Sequence, residues 1–268
     1  KIFPFVMLGS SVYIYFYLSD GARIKKTIIV VCVKMTLFCH ARFILSILMA
    51  RLRNLSDQSL SRFIWIFYAI GLLGLGVPWT RDLFISMFPL SFLVAFIVLF
   101  ITDRSEQRIL IPLGIIIFLF GFLISAVSVN TGVIFGDLEF GKALGPKISG
   151  TPYIIGWHWL MIVYCSIITV RKYTKDRYFI SFLAAVLMVV FDMVLEGAAG
   201  NLDMWIWTSG NVPIQNFLVW FGFSWFLTGV VQIVKVDLKN SIAPTLFAVH
   251  FFFFFLLNLL FYIEKAIL

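Results

Sequence analysis

Residues 109–129 read ILIPLGIIIFLFGFLISAVSV, an apolar run with no charged side chain. At 1.5 Å of rise per residue, a helix of about 20 residues crosses a hydrocarbon core roughly 30 Å thick. This stretch meets that requirement and is apolar all round, so it lacks the polar face of a surface helix on a soluble domain. It predicts a membrane span.

Comparable runs lie on both sides of it, at about 63–79, 82–102, 153–170, 178–199, 214–234 and 242–263. The chain is 62% hydrophobic and 13% charged, against roughly half and a quarter in soluble domains. The expected fold class is all-α: a polytopic integral membrane helix bundle of about seven transmembrane helices.

The formal charge is +8. A basic balance can indicate nucleic acid, but these Lys and Arg residues sit in short loops between apolar runs. The positive-inside bias accounts for them, and no nucleic-acid partner is expected. Arg51, Arg53, Arg62, Arg104, Arg108, Arg171, Lys172, Lys175, Arg177, Lys235 and Lys239 fall on one side, against Arg81, Lys142, Lys147 and Lys265 on the other. Eleven against four assigns the first group to the cytoplasm.

The first 50 residues fit less well. The run 3–18 is short, and the run 27–49 holds Lys34, His40 and Arg42. A charge at the centre of a lone span costs about 2.5–3.5 kcal/mol. Two readings stand for 1–50: one or two extra hydrophobic anchor helices, or an extension outside the functional protein, with Met49 as the natural initiator. It has no clear signal-peptide cleavage site. Residues 51–268 are then the membrane-embedded domain. Cys32, Cys39 and Cys165 lie in apolar stretches without metal or disulfide spacing and read as small buried side chains.

The distinctive chemistry lies in two loops and one span. Loop 130–156 carries Asp137, Glu139, Lys142, Pro146, Lys147 and Pro152 and runs into Trp157-His158-Trp159. Loop 200–213 carries Asp203, Trp205 and Trp207, with Asn216 and Trp220 following at i and i+4. Their Gly and Pro content points to fixed turns. The charge bias places both loops on the non-cytoplasmic side.

Asp192 and Glu196 stand in one span at i and i+4, hence on one helix face. Intramembrane acids are rare and usually mark a functional site. The bland alternative is a structural pair satisfied by another helix. Asp137 and Glu139 are either catalytic or simply solvated beside Lys142. Trp205, Trp207 and Trp220 form either an interfacial belt or an aromatic wall around an apolar or cationic species. His158 is more often a packing residue than a ligand. No metal-ligand spacing supports a metal site, and P-loop, dinucleotide and hydrolase motifs are absent from the sequence. These residues suit acid catalysis on a lipid, and equally a proton-coupled transporter.

The same residues resemble a known family. The order Thr131-Gly132, Phe135-Gly136-Asp137, Glu139, Gly141-Lys142, Leu144-Gly145, Gly150, Pro152, Gly156 and Trp159 is similar to the carotenoid biosynthesis family of membrane hydratases. That family includes γ-carotene 1′-hydroxylase and bisanhydrobacterioruberin hydratase. A second block agrees: Asp192 and Glu196, then Trp205 and Trp207, then Pro213, Asn216 and Trp220. The chain departs from the family pattern at Gly197, Leu138 and His158, where a Pro, an aromatic and an Asn are expected.

The resemblance implies hydration of the terminal double bond of an acyclic ψ-end, as in γ-carotene, lycopene or bisanhydrobacterioruberin. It implies no cofactor, a carotenoid substrate, an inner-membrane location and other carotenoid enzymes as neighbours. Asp192 is the expected proton donor and Glu196 the second choice. Asp137 and Glu139 are further catalytic candidates. Trp159, Trp205, Trp207, Asn216, Trp220 and His158 are the expected substrate-binding set. A membrane carotenoid cyclase is the alternative enzyme, and a transporter or lipid-binding scaffold the alternative outside enzymes.

Overall fold

A computed structural model describes residues 56–267, together with an antiparallel pair, β1 (Val6–Leu8) and β2 (Ser11–Tyr13). That pair belongs to a separate N-terminal unit and is treated by itself. The readings made above for the rest of residues 1–50, including the buried state of Cys32 and Cys39, lie outside the described residues.

Residues 56–268 form one compact unit. Its helices are α1 (Asp57–Gly76), α2 (Pro78–Ser86), α3 (Phe88–Thr102), α4 (Gln107–Thr131), α5 (Ile154–Val170), α6 (Arg177–Ala199), α7 (Ile214–Val234) and α8 (Ala243–Ile267). Short strands β3 (Leu138–Phe140), β4 (Lys147–Ile148), β5 (Thr151–Pro152) and β6 (Trp205–Trp207) lie in the connections.

Five of the helices, α1, α4, α6, α7 and α8, are long and apolar enough to cross a membrane. The protein is a polytopic membrane helix bundle. Helix α4 shows why its sequence is apolar on every side. Ile111, Ile115, Leu119, Leu123 and Val127 form an outward stripe. Leu113, Ile117, Gly121, Ser125 and Ser128 turn inward. The outward stripe needs a lipid solvent, since nothing else described covers it.

Two expected spans differ in form. The run 82–102 is not a continuous helix: α2 and α3 meet at a 56° bend. Pro78 opens α2 and Pro89 sits in the first turn of α3. Proline cannot donate a backbone hydrogen bond and clashes with the preceding turn, so both helices start where the proline is tolerated. The run 153–170 becomes α5, only 17 residues long. Nearly all of its side chains are buried, because α3, α4, α6, α7 and α8 all pack against it. It is the hub of the bundle.

The basic loops gather at one end. Arg104 N donates to Lys239 O at 2.8 Å, and Arg171 Nη2 donates to Gln232 Oε1 at 3.2 Å. Helix α6 starts at this end, where Asp176 caps it by accepting from Phe179 N at 2.7 Å. It finishes at the opposite end, among the two loops. There Arg81 and Glu264 form a bidentate pair at 3.2 and 2.9 Å that ties α2 to α8.

Candidate active site

The two loops are locked to each other. Strand β3 pairs antiparallel with β6, matching Leu138 with Trp207, Glu139 with Ile206 and Phe140 with Trp205. Beyond the strands, Gly141 N donates to Met204 O at 2.9 Å and Ala143 N to Asp203 O at 3.1 Å. The Asp203 carboxylate accepts from Lys142 N at 2.9 Å. Thr208 closes the other end through Asp137 O, at 3.0 Å. Asp203 takes a left-handed backbone, φ 52°, a conformation that Asp tolerates better than most residues. Gly141 is required here by close approach: a Cβ at that position would fall on the Asp203 carbonyl. Gln215, at the start of α7, adds a clamp by donating to Val133 O and Ile134 O.

This lid covers a cavity of about 50 Å³. It is lined by Ser125 of α4, Ile155, His158 and Trp159 of α5, Asp192 and Glu196 of α6, and Asn216 and Trp220 of α7; the loops add Phe135, Leu138, Phe140, Trp205 and Trp207. The space is ample to admit water.

Asp192 is fully buried. Its Oδ2 accepts from Asn216 Nδ2 at 2.9 Å, and its Oδ1 has no partner among the described residues. Glu196 has richer company. Trp205 Nε1 and Trp207 Nε1 donate to its Oε2 at 3.0 and 2.9 Å, and Asn216 Nδ2 stands 3.4 Å from Oε1. Oε2, which accepts two N–H groups, has no room for a proton of its own and acts as an acceptor only. Asp192 Oδ1 is buried without a hydrogen-bond partner among the described residues. The two acids therefore differ in environment although they share a helix face.

The aromatic side of the cavity is a stack. Trp159 and Trp220 lie 4.1 Å apart, centroid to centroid, at 23°. Trp159 is held by its donation to Ser125 Oγ at 3.4 Å. A Cβ on Gly121 would collide with its ring, so that glycine lets α4 approach α5 this closely. His158 is buried between Phe92, Phe191 and Trp220, at 5.7, 5.8 and 6.3 Å.

The structure thus gathers Asp192, Glu196, His158, Trp159, Trp205, Trp207, Asn216 and Trp220 around one cavity. It does not bring Asp137 and Glu139 there. Strand alternation turns Leu138 and Phe140 inward and leaves Glu139 exposed, and Asp137 serves the lid through its backbone carbonyl. No ion pair joins either acid to Lys142 among the described residues. The sequence reasoning met Phe135 and Leu138 only as positions of the family pattern, and did not single out Ser125, Phe140 or Ile155. The alternation of β3 is the one signal that points to Leu138 and Phe140.

A larger cavity of about 580 Å³ lies on another face of α5, between α3 and α4. Its walls are apolar, with Phe96, Phe100, Phe118 and Trp157 among them. Asp103 also lines it but is already engaged by Ser105, Gln107 and Tyr164.

A buried acid pair bridged by one amide and roofed by two tryptophans is thus set inside a polytopic membrane helix bundle. The family model of carotenoid biosynthesis proteins matches residues 85–267, well over half the chain. The chain belongs to this carotenoid biosynthesis protein family, and its role is in carotenoid biosynthesis. No curated protein and no solved structure matches it.

Proposed function

We propose that the protein adds water to the terminal trisubstituted double bond of an acyclic carotenoid end. The observation that carries this reading is the asymmetry of the acid pair. Asp192 has an unpartnered oxygen facing apolar surroundings, while Glu196 is held as an acceptor by two indole N–H groups. A carboxyl group in an apolar site can stay protonated near neutrality and act as a general acid.

Asp192 gives its proton to the CH carbon of the double bond, leaving a tertiary cation on the neighbouring dimethyl carbon. The Trp159–Trp220 stack offers π-faces to that charge, and the Glu196 carboxylate lies in the same cavity as a counter-charge. Water closes the reaction as a tertiary alcohol. Hydration leaves the net oxidation state unchanged. The end group is larger than the present cavity, so the lining opens to admit it. The polyene body lies in the bilayer, which we take to be the cytoplasmic membrane, with the lid on its outer side. Other enzymes of pigment synthesis are its expected neighbours.

Expression in a lycopene-accumulating host tests the proposal. Acyclic carotenoids carrying one or two added waters are expected by chromatography and mass spectrometry. Cyclised products without added water would assign a cyclase instead, and unchanged lycopene despite membrane-inserted protein would remove the enzymatic reading.

A further inference from the structure

The hydration reading leaves one task without a residue: something must hold the incoming water and take its proton. The candidates are the polar groups lining the cavity. Both Glu196 oxygens already face N–H donors. Ser125 Oγ accepts from Trp159 and donates to Gly121 O. Asp192 is the proposed acid and begins the reaction protonated. Among the lining residues His158 is the one that carries a basic nitrogen.

Its hydrogen bonding is unusual for a buried histidine. Neither ring nitrogen of His158 hydrogen-bonds to any described residue, although the side chain is only 6% exposed. Buried polar groups are nearly always satisfied, so a partnerless imidazole on a cavity of water-sized capacity has water as its natural partner. The other buried histidine of the bundle shows the contrast. His250 Nδ1 faces Leu246 O at 3.0 Å and must be the protonated nitrogen, leaving Nε2 to accept from Tyr68 OH at 2.7 Å. Both of its valences are used, and it has nothing left for a substrate. Phe92 packs against both rings, at 5.7 Å from His158 and 6.3 Å from His250, so similar aromatic walls surround one saturated and one open histidine.

Position favours the same task. The His158 ring lies 6.3 Å from Trp220, one member of the Trp159–Trp220 stack, and is tilted by 61° to it. A water on His158 would stand beside the surface on which the cation is stabilised.

We propose that His158 seats the nucleophilic water and accepts its proton; this rests on the hydration reading. The π-pair of the double bond forms the new C–H bond with the Asp192 proton. A lone pair of the water on His158 then forms the C–O bond. One O–H bond of that water breaks and its proton passes to the imidazole nitrogen. The imidazolium returns the proton to the Asp192 carboxylate through a second cavity water. One water is consumed and both side chains are restored.

The two half-steps separate in heavy water, using full-length protein in membranes with lycopene as the probe. Alcohol formation reports capture by water. Deuterium in recovered lycopene reports protonation followed by loss of a proton without capture. His158→Phe keeps an aromatic ring but removes the base. It is expected to lower alcohol formation by roughly 10²-fold, as for loss of a general base, while deuterium exchange persists. Asp192→Asn should abolish both. His158→Gln retains an acceptor and should recover part of the alcohol.

Alcohol at the wild-type rate from His158→Phe overturns the proposal. So does loss of exchange together with alcohol at normal membrane levels, because His158 would then serve protonation or packing. Absence of both alcohol and exchange in the wild type instead rejects the hydration reading itself.

Discussion

Asn216 Nδ2 lies 2.9 Å from Asp192 Oδ2. Because the same nitrogen stands 3.4 Å from Glu196 Oε1, a single amide joins two acids of α6 from the neighbouring helix. An amide nitrogen can only donate, so the bridge fixes which oxygens are acceptors. It leaves Asp192 Oδ1 as the place for a transferable proton.

Replacing Asp192 with Asn keeps the shape and removes that proton. Turnover is expected to fall by roughly 10²-fold or more, with membrane levels of the protein unchanged. Pigment analysis normalised to protein by immunoblot measures it. Wild-type hydration by Asp192→Asn would make the residue structural and move the donor role to Glu196.

Trp205 and Trp207 both donate to Glu196 Oε2. Hydrogen bonds to a charged group are worth about 1.5–3 kcal/mol each. Trp205→Phe or Trp207→Phe should therefore reduce activity by roughly ten- to a hundredfold. The double variant should deviate from the product of the two, since both act on one oxygen. Initial rates in membranes, arranged as a double-mutant cycle, give the coupling.

Gly141 touches the Asp203 carbonyl so closely that a methyl group has no room. Gly141→Ala should separate β3 from β6 and lower the melting temperature of the detergent-purified protein by several degrees, a loss of about 1–3 kcal/mol. Gly200→Ala is the control, because nothing lies within 4 Å of its would-be Cβ. Equal melting of the two variants would show that the lid does not depend on this contact.

Lys147 belongs to the lid end and Lys175 to the basic end of the bundle. Single cysteines at these positions should react with an impermeant thiol reagent from opposite faces of the membrane, position 147 from outside intact cells. Reaction of both from one face would contradict the proposed orientation.

The spans were legible because hydropathy needs only composition over about 20 residues. The break near Met87 was not, since the run 82–102 is apolar on both sides of the bend; only Pro89 marked it. The shared face of Asp192 and Glu196 was legible from helical spacing, but their bridge through Asn216 is tertiary and leaves no local trace.

Trp205 and Trp207 line the cavity with the acids, although an aromatic wall misses what their N–H groups do. Spacing of two on a strand puts both on one face, yet β6 has only three residues, too few for periodicity to declare a strand. The same brevity hid the outward turn of Glu139. Asp203 was visible only as a loop acid, and its clasp on Lys142 N depends on a fold that brings residues 61 positions apart together.

The lid has a consequence in the order of synthesis. The acids of α6 leave the ribosome before Trp205, Trp207 and Asn216, the residues that satisfy them. Strand β3 likewise waits for β6, which emerges later. Helix α6 entering the bilayer alone would carry two unpartnered carboxyl groups, a costly state. Entry of α6 and α7 as a pair would spare the bilayer that cost, and the contacts that complete the site form only after α7 has been made.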